Sequence, residues 1–292
     1  MSRILIIGAT GQQGGSVVRA LEGRGHELVA FVRDAQSEKA QALSTRGIEL
    51  VQGTLDDQAS IEAALGGVDA AFAVTTFFAT STDVEAEQGI RITNAAATRK
   101  LPFLLYSSVG SADEGTGVGH FESKFKIEQQ IRALGTPAAV IAPTFFMENY
   151  ALPWNLADLA QGKVREALPV DKPLQMVSSM DIGKAAAAVL ERRDDFVGER
   201  IELVGSELTG PQIAEVLGDA IGHELTFEVQ AFDELDVMGE DMRLMMEFLA
   251  STGYSADAER LARDLPEVHF TTFEEWASQQ DWPALMAASS AV

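Results

Sequence analysis

Ile4-Leu5-Ile6-Ile7-Gly8-Ala9-Thr10-Gly11-Gln12-Gln13-Gly14 is the stretch that decides the fold. Four apolar residues in a row show no alternation, so both faces of this segment are expected to be buried, as in a strand inside a parallel sheet. Three glycines follow at Gly-x-x-Gly-x-x-Gly spacing. Gly8 permits a tight turn, Gly11 lets the backbone approach a pyrophosphate, and Gly14 lets a helix pack close to the strand. The start of such a helix offers open N–H groups and a partial positive charge, which suit phosphate. Gly8, Thr10, Gly11, Gln12, Gln13 and Gly14 are therefore expected to cradle a dinucleotide.

The same rhythm continues outward from that loop. Buried strands are expected at 4–7, 28–32, 48–51, 70–74, 103–106 and 138–141. Helices are expected between them at 14–21, 38–44, 60–65, 84–98 and 123–134. Such alternation predicts a Rossmann-type α/β fold: a doubly wound parallel sheet of order 3-2-1-4-5-6, covered on both faces. After Asn149 the pattern changes, and Pro153, Pro169 and Pro173 interrupt it. This predicts a dinucleotide-binding domain over 1–149 and a smaller α+β substrate or partner lobe over 150–292. Short strands near 176 and 201 are candidates for packing on the sheet.

Composition excludes several functions. With no cysteine in the chain, there is no thiol catalysis and no disulfide. His26, His120, His223 and His269 show no metal-ligand spacing, so no metal is expected. No apolar run approaches the roughly 18–20 residues of a membrane span. The N-terminal apolar run is too short for a signal peptide, so a cytoplasmic location is expected. A formal charge of −22 repels phosphate backbones and argues against direct nucleic-acid binding. It suits a protein living in salt, and equally an ordinary acidic one. Oligomeric state is left open.

The cofactor's 2′-substituent is read where the second strand ends, at Val32-Arg33-Asp34. An arginine there favours a 2′-phosphate, while an acidic residue favours a free ribose hydroxyl. Arg33, with Lys39 a few residues on, points to NADP(H). The alternatives are an Arg33 spent on Asp34, or an Asp34 that holds the ribose of NAD.

Further motifs follow in order: Gly53-Thr54-Leu55-Asp56-Asp57, Val74-Thr75-Thr76-Phe77-Phe78, His120-Phe121-Glu122-Ser123-Lys124, Pro143-Thr144-Phe145-Phe146-Met147-Glu148-Asn149 and Thr272-Phe273-Glu274-Glu275-Trp276. With the glycine loop, this series resembles the NmrA-like family of atypical short-chain dehydrogenase/reductases. The resemblance implies that Thr54 and Leu55 lie beside the adenine, although many relatives carry Asp where this chain has Thr54. It implies that Val74, Thr75, Thr76 and Phe77 run past the ribose and pyrophosphate. Phe145, Phe146, Glu148 and Asn149 would close over the nicotinamide end, or Phe145, Phe146 and Met147 would simply pack a core.

Typical members of the wider superfamily use a Tyr-x-x-x-Lys pair and a preceding serine. Here the lysine is Lys124, the tyrosine position holds His120, and Ser107 or Ser108 fills the serine position. The i, i+4 spacing puts His120 and Lys124 on one helix face. Two functions fit. One is a sensor of the NADP⁺/NADPH balance that signals to a protein partner, with weak or no dehydrogenase activity, and the missing tyrosine favours it. The other is an NADPH-dependent reductase of a quinone, enone or other small carbonyl compound, favoured by Lys124, Ser107 and the apolar Phe/Met segment.

Overall fold

A computed structural model of the chain describes residues 1–78 and 80–289. It begins with β1 (Arg3–Ile7), α1 (Gln12–Leu21), β2 (Glu27–Val32), α2 (Glu38–Thr45), β3 (Glu49–Gln52), α3 (Gln58–Ala64), β4 (Ala70–Val74) and α4 (Thr82–Thr98). Next come β5 (Leu104–Ser107), α5 (Gly119–Leu134), β6 (Ala138–Pro143), β7 (Phe145–Phe146), α6 (Pro153–Leu159), β8 (Lys163–Glu166), β9 (Pro173–Val177) and α7 (Ser179–Glu191). The remainder is β10 (Arg200–Leu203), β11 (Ser206–Thr209), α8 (Gly210–Ile221), β12 (Thr226–Val229), α9 (Glu240–Ser251), α10 (Ala258–Asp264), α11 (Phe273–Ser278) and α12 (Trp282–Ser289).

Two compact units result. The first holds Met1–Pro143, Ser179–Glu202 and Leu261–Val268, and the second holds the rest of the described residues. A seven-stranded sheet of order β10-β6-β5-β4-β1-β2-β3 organises the first unit. β1 runs parallel to β2 on one side and β4 on the other, with Ile4 opposite both Leu28 and Ala70. The pairs β2–β3, β4–β5 and β5–β6 are parallel too. The order is the one the strand–helix rhythm predicts, with β10 added beyond β6.

Alternate strand residues explain why the sheet is buried on both faces. Leu5, Ile7, Val29, Phe31, Ala71, Ala73, Leu104 and Tyr106 form one core with Ile61, Ile92, Ala95, Ala96, Ile127 and Ile131 from α3, α4 and α5. Gly89 lets α4 and α5 meet, since a Cβ there would lie 2.2 Å from Ile127 Cδ1. On the other face, α1 packs on β1 and β4, and α7 on β5 and β6.

The sequence rhythm suggested a division at Asn149. The chain instead leaves the first unit after Pro143 and re-enters it for α7 and β10. The reason is the small-residue face of α7. Ile182, Gly183, Ala185, Ala186 and Val189 are fully buried, and Gly183 lies so close to α1 that a Cβ would stand 2.4 Å from the Ser16 carbonyl oxygen. The strand near 201 joins the sheet as β10. The strand near 176 does not: β9 lies in the second unit, antiparallel to β11 and parallel to β7.

The second unit also pairs β8 with β12 in parallel. Its core is aromatic, with Tyr150 edge-on to Phe273 and Phe273 stacked on Trp276. α11 starts at a capping box in which Thr272 Oγ1 accepts from Glu275 N, and Glu275 accepts from Thr272 N. Among the described residues, no helix is long and apolar enough to cross a membrane.

The α1–α7 contact leaves no room for one methyl group. Gly183→Ala is expected to destabilise the protein by about 1–3 kcal/mol. Thermal denaturation checks this: a melting temperature equal to that of the unsubstituted protein would show that the helices do not meet there.

Candidate cofactor site

Two glycines of the first loop are required by the protein itself. Gly8 has φ +88°, and a Cβ would lie 2.7 Å from Val74 Cγ1. At Gly14 a Cβ would lie 2.2 Å from the Gly8 carbonyl oxygen. Gly11 is different. Its φ is −94°, and a Cβ would meet only the Gly8 oxygen, at 3.3 Å. The bare backbone at Gly11 therefore leaves the outer side of the loop open. Gly11 is also the N-cap of α1, where no side chain caps the helix and no carboxylate occupies the first turn. Thr10, Gly11 and Gln12 are exposed and Gln13 is half-buried. Open amides, a helix N-terminus and clear space together form an anion cradle.

At the end of β2, Arg33 and Lys39 are exposed. Arg33 is not spent on Asp34. Asp34 instead shapes the turn, its Oδ1 accepting from Gln36 N at 2.8 Å and its carbonyl oxygen from Ser37 Oγ at 2.9 Å. Ser37 then caps α2 by accepting from Ala40 N. After β3, the Thr54 hydroxyl is likewise taken up locally, accepting from Asp56 N at 3.2 Å. Leu55 leans half-buried against the core.

Lys124 lies in a buried polar network at the carboxyl ends of β4 and β5. Its ammonium is 3.1 Å from Glu85 Oε1, a carboxylate with no exposure to solvent. Nζ also donates to the carbonyl oxygens of Thr75 at 2.7 Å and Ser107 at 3.4 Å, and to Thr75 Oγ1 at 3.2 Å. An ammonium has three N–H groups, and Glu85, Thr75 and Ser107 share them all. Glu85 Oε2 accepts from Ser123 Oγ at 2.5 Å. Burial pulls the Lys124 pKa down, and Glu85 opposes that shift. A tyrosine does lie near Lys124, but it is Tyr106 of β5, fully buried, with its hydroxyl 3.0 Å from Thr75 Oγ1. Burial pushes its pKa well above the usual phenol value, so it stays a neutral scaffold group.

The remaining catalytic candidates have other partners. Ser107 Oγ donates to Gln13 Oε1 at 2.6 Å, joining β5 to the glycine loop. Ser108 Oγ donates to Glu128 Oε1 at 2.5 Å, and Glu128 is held by Arg200 at 3.2 Å. The His120 ring stacks on Phe77 at 4.9 Å between centroids and meets Phe121 edge-on at 4.7 Å. Thr76 is exposed and Val74 half-buried at the end of β4.

Glu85, Glu128, Arg200 and the exposed ring of Phe78 were not picked out from sequence. Glu128 carried a local signal, four residues after Lys124 on one helix face, but its strong partner proved to be Arg200, distant in sequence. In the second unit, Phe145 is buried with its ring 6.1 Å from Tyr150, and Met147 is fully buried. These two side chains pack that unit's core. Phe146, Glu148 and Asn149 are half-buried there. Among the described residues, no group of three or more His, Cys, Asp or Glu could hold a metal ion.

Residues 1–277 match the NmrA-like family. The NAD(P)H azoreductase of Xenophilus azovorans is 29% identical over 249 residues, covering 75% of this chain and 84% of that one. Quinone oxidoreductase 2 of Escherichia coli is 29% identical over 228 residues, 77% of each chain. The structure of that enzyme complexed with NADPH superposes with a TM-score of 0.80, covering 94% of this chain and 98% of that one at 27% identity. NmrA, a negative transcriptional regulator solved in complex with NADP, has a TM-score of 0.81 over 98% of this chain and 97% of its own, at 19% identity. That last likeness is one of fold.

The Lys124–Glu85 pair has a stability consequence. Lys124→Met leaves Glu85 buried without its cation and is expected to cost about 3–5 kcal/mol. Adding Glu85→Gln should recover most of that loss. Urea denaturation of both variants checks it; a double variant no more stable than Lys124→Met would show that the pair does not act as a unit.

Proposed function

This chain belongs to the NmrA-like family, and we propose that it is an NADP(H)-binding reductase of acceptors that need no acid from the protein. The observation carrying this reading is the complete use of Lys124 by Glu85, Thr75 and Ser107. Together with histidine at position 120, it leaves no tyrosine–lysine pair to hand a proton to substrate.

The cradle supports dinucleotide binding. The open amides at the start of α1 would hold the pyrophosphate, and Gln13, fixed by Ser107, would keep the loop against β5. The uncommitted guanidinium of Arg33 would fork onto a 2′-phosphate, with Lys39 adding charge. When bound, the cofactor supplies a hydride. The acceptor's chemistry then decides whether the protein must supply a proton. A ketone becomes a strongly basic alkoxide and needs general-acid help. A quinone becomes a phenolate-type anion, whose conjugate acid has a pKa of about 10, so solvent can protonate it. The quinone reductase relative supports an acceptor of this kind, and the azoreductase relative agrees with its being flat and conjugated.

A second reading rests on the same observation. A lysine without a spare N–H suits a protein that binds the cofactor and reports its redox state to a protein partner. The fold likeness to NmrA agrees with it. In either reading, the −22 charge argues against direct contact with nucleic acid.

Arg33→Ala is expected to weaken NADPH about ten- to a hundredfold while leaving NADH nearly unchanged. Cofactor fluorescence titration measures both, and equal losses would refute the 2′-phosphate role. NADPH oxidation should be supported by a naphthoquinone and not by an aliphatic ketone. Tight NADPH binding with neither reduced would leave the sensor reading in its place.

A further inference from the structure

Beyond β4, three aromatic rings are stacked. Phe77 stacks with Phe78 at 4.4 Å between centroids and 29° between planes, and with His120 at 4.9 Å and 18°. His120 in turn meets Phe121 edge-on at 89°. Burial grades along the series. Phe121 is fully buried, His120 and Phe77 are half-buried, and Phe78 is 78% exposed. A single exposed phenylalanine needs no explanation. A ladder of parallel rings braced on the core and ending in a bare ring is a prepared surface for one more flat ring.

Its place in the fold adds a second argument. In an open doubly wound sheet, ligands bind outside the carboxyl ends of the strands where the strand order reverses. Here the reversal falls between β1, which leads to β2 and β3, and β4, which leads to β5 and β6. The glycine loop follows β1, and Phe77-Phe78 follows β4. Cradle and aromatic ladder therefore flank one crevice, both within the first unit.

We propose that Phe78 is the stacking platform of an acceptor subsite and selects planar aromatic molecules. The inference rests on the reductase reading and names the shape its substrates would share. His120 acquires a role without proton transfer: its flat ring, set against buried Phe121, backs Phe77 and so keeps the ladder rigid. Phe78 is a specificity residue, since it would touch substrate and move no proton.

The test uses the full chain saturated with NADP⁺, so that nothing turns over, and titrates 2-methyl-1,4-naphthoquinone by calorimetry. Phe78→Ala and Phe78→Leu should each weaken the quinone about three- to tenfold, with NADPH affinity within about twofold and the melting temperature unchanged. In turnover, KM for the quinone should rise by the same factor while kcat stays level. The proposal is overturned if the unsubstituted protein binds no naphthoquinone, or if both variants bind it as well as the parent. It also fails if Phe78→Leu alone keeps full affinity, which means apolar contact without stacking. Loss of NADPH affinity in step with the quinone would give the ring to the cofactor instead. Quinone that binds through Phe78 and is never reduced leaves the subsite standing and removes the reductase reading. Reduction at the same KM in all three proteins does the reverse.

Discussion

The ammonium of Lys124 ties four elements together. It is carried by α5, is neutralised by Glu85 of α4, and donates to the backbone at the ends of β4 and β5. Those two strand ends carry everything the site needs on its far side: Thr75 and the aromatic residues after β4, and Ser107 with its bond to Gln13 after β5. A charge this deeply buried is tolerated only because it is paired and fully hydrogen-bonded. A position that usually serves chemistry in related folds here has its ammonium taken up by internal partners.

The cofactor side follows the opposite principle. Donors are left open at the start of α1 and on Arg33, while the neighbouring Asp34 carboxylate is committed to Gln36 N. In the proposed binding mode a phosphate would meet amides and a guanidinium at the cradle, whereas the surface of a chain with net charge −22 repels an extended polyanion. On that reading, selectivity for a small phosphorylated ligand would come from the placement of Arg33.

Between these two regions lies the aromatic series of Phe77, Phe78 and His120. Its rings offer area and flatness to a planar molecule. That combination fits chemistry in which binding geometry and the acceptor's own electronic stability do the work, and it fits poorly with alcohol oxidation, where an alkoxide must be made or quenched.

How much of this was legible in the sequence depends on the range of each interaction. The glycine loop and the strand–helix alternation are local and periodic, so the pattern of residues determined them, and the order of the six strands followed from the fold class that alternation implies. Gly8 and Gly14 could be read because a turn and a close helix approach allow almost nothing else. Arg33 was legible by its place at a strand end, but that Asp34 would bond Gln36 and leave the guanidinium open depends on the folded geometry of the turn. Lys124 stood out by motif, yet its partner Glu85 lies on another helix, and nothing in the spacing of either residue announces the pair. The division of the chain was misplaced for the same reason. Pro153 and the proline-rich stretch after it disturb the rhythm locally, while the return of α7 depends on Gly183 meeting Ser16 across the first unit. Sequence by itself determined the strand–helix framework, the glycine turn at the start of α1 and which residue types stand at the motif positions. Tertiary structure decided whether those residues are free to act, because a hydrogen-bonding group's availability depends on its neighbours in space, and these come from distant parts of the chain.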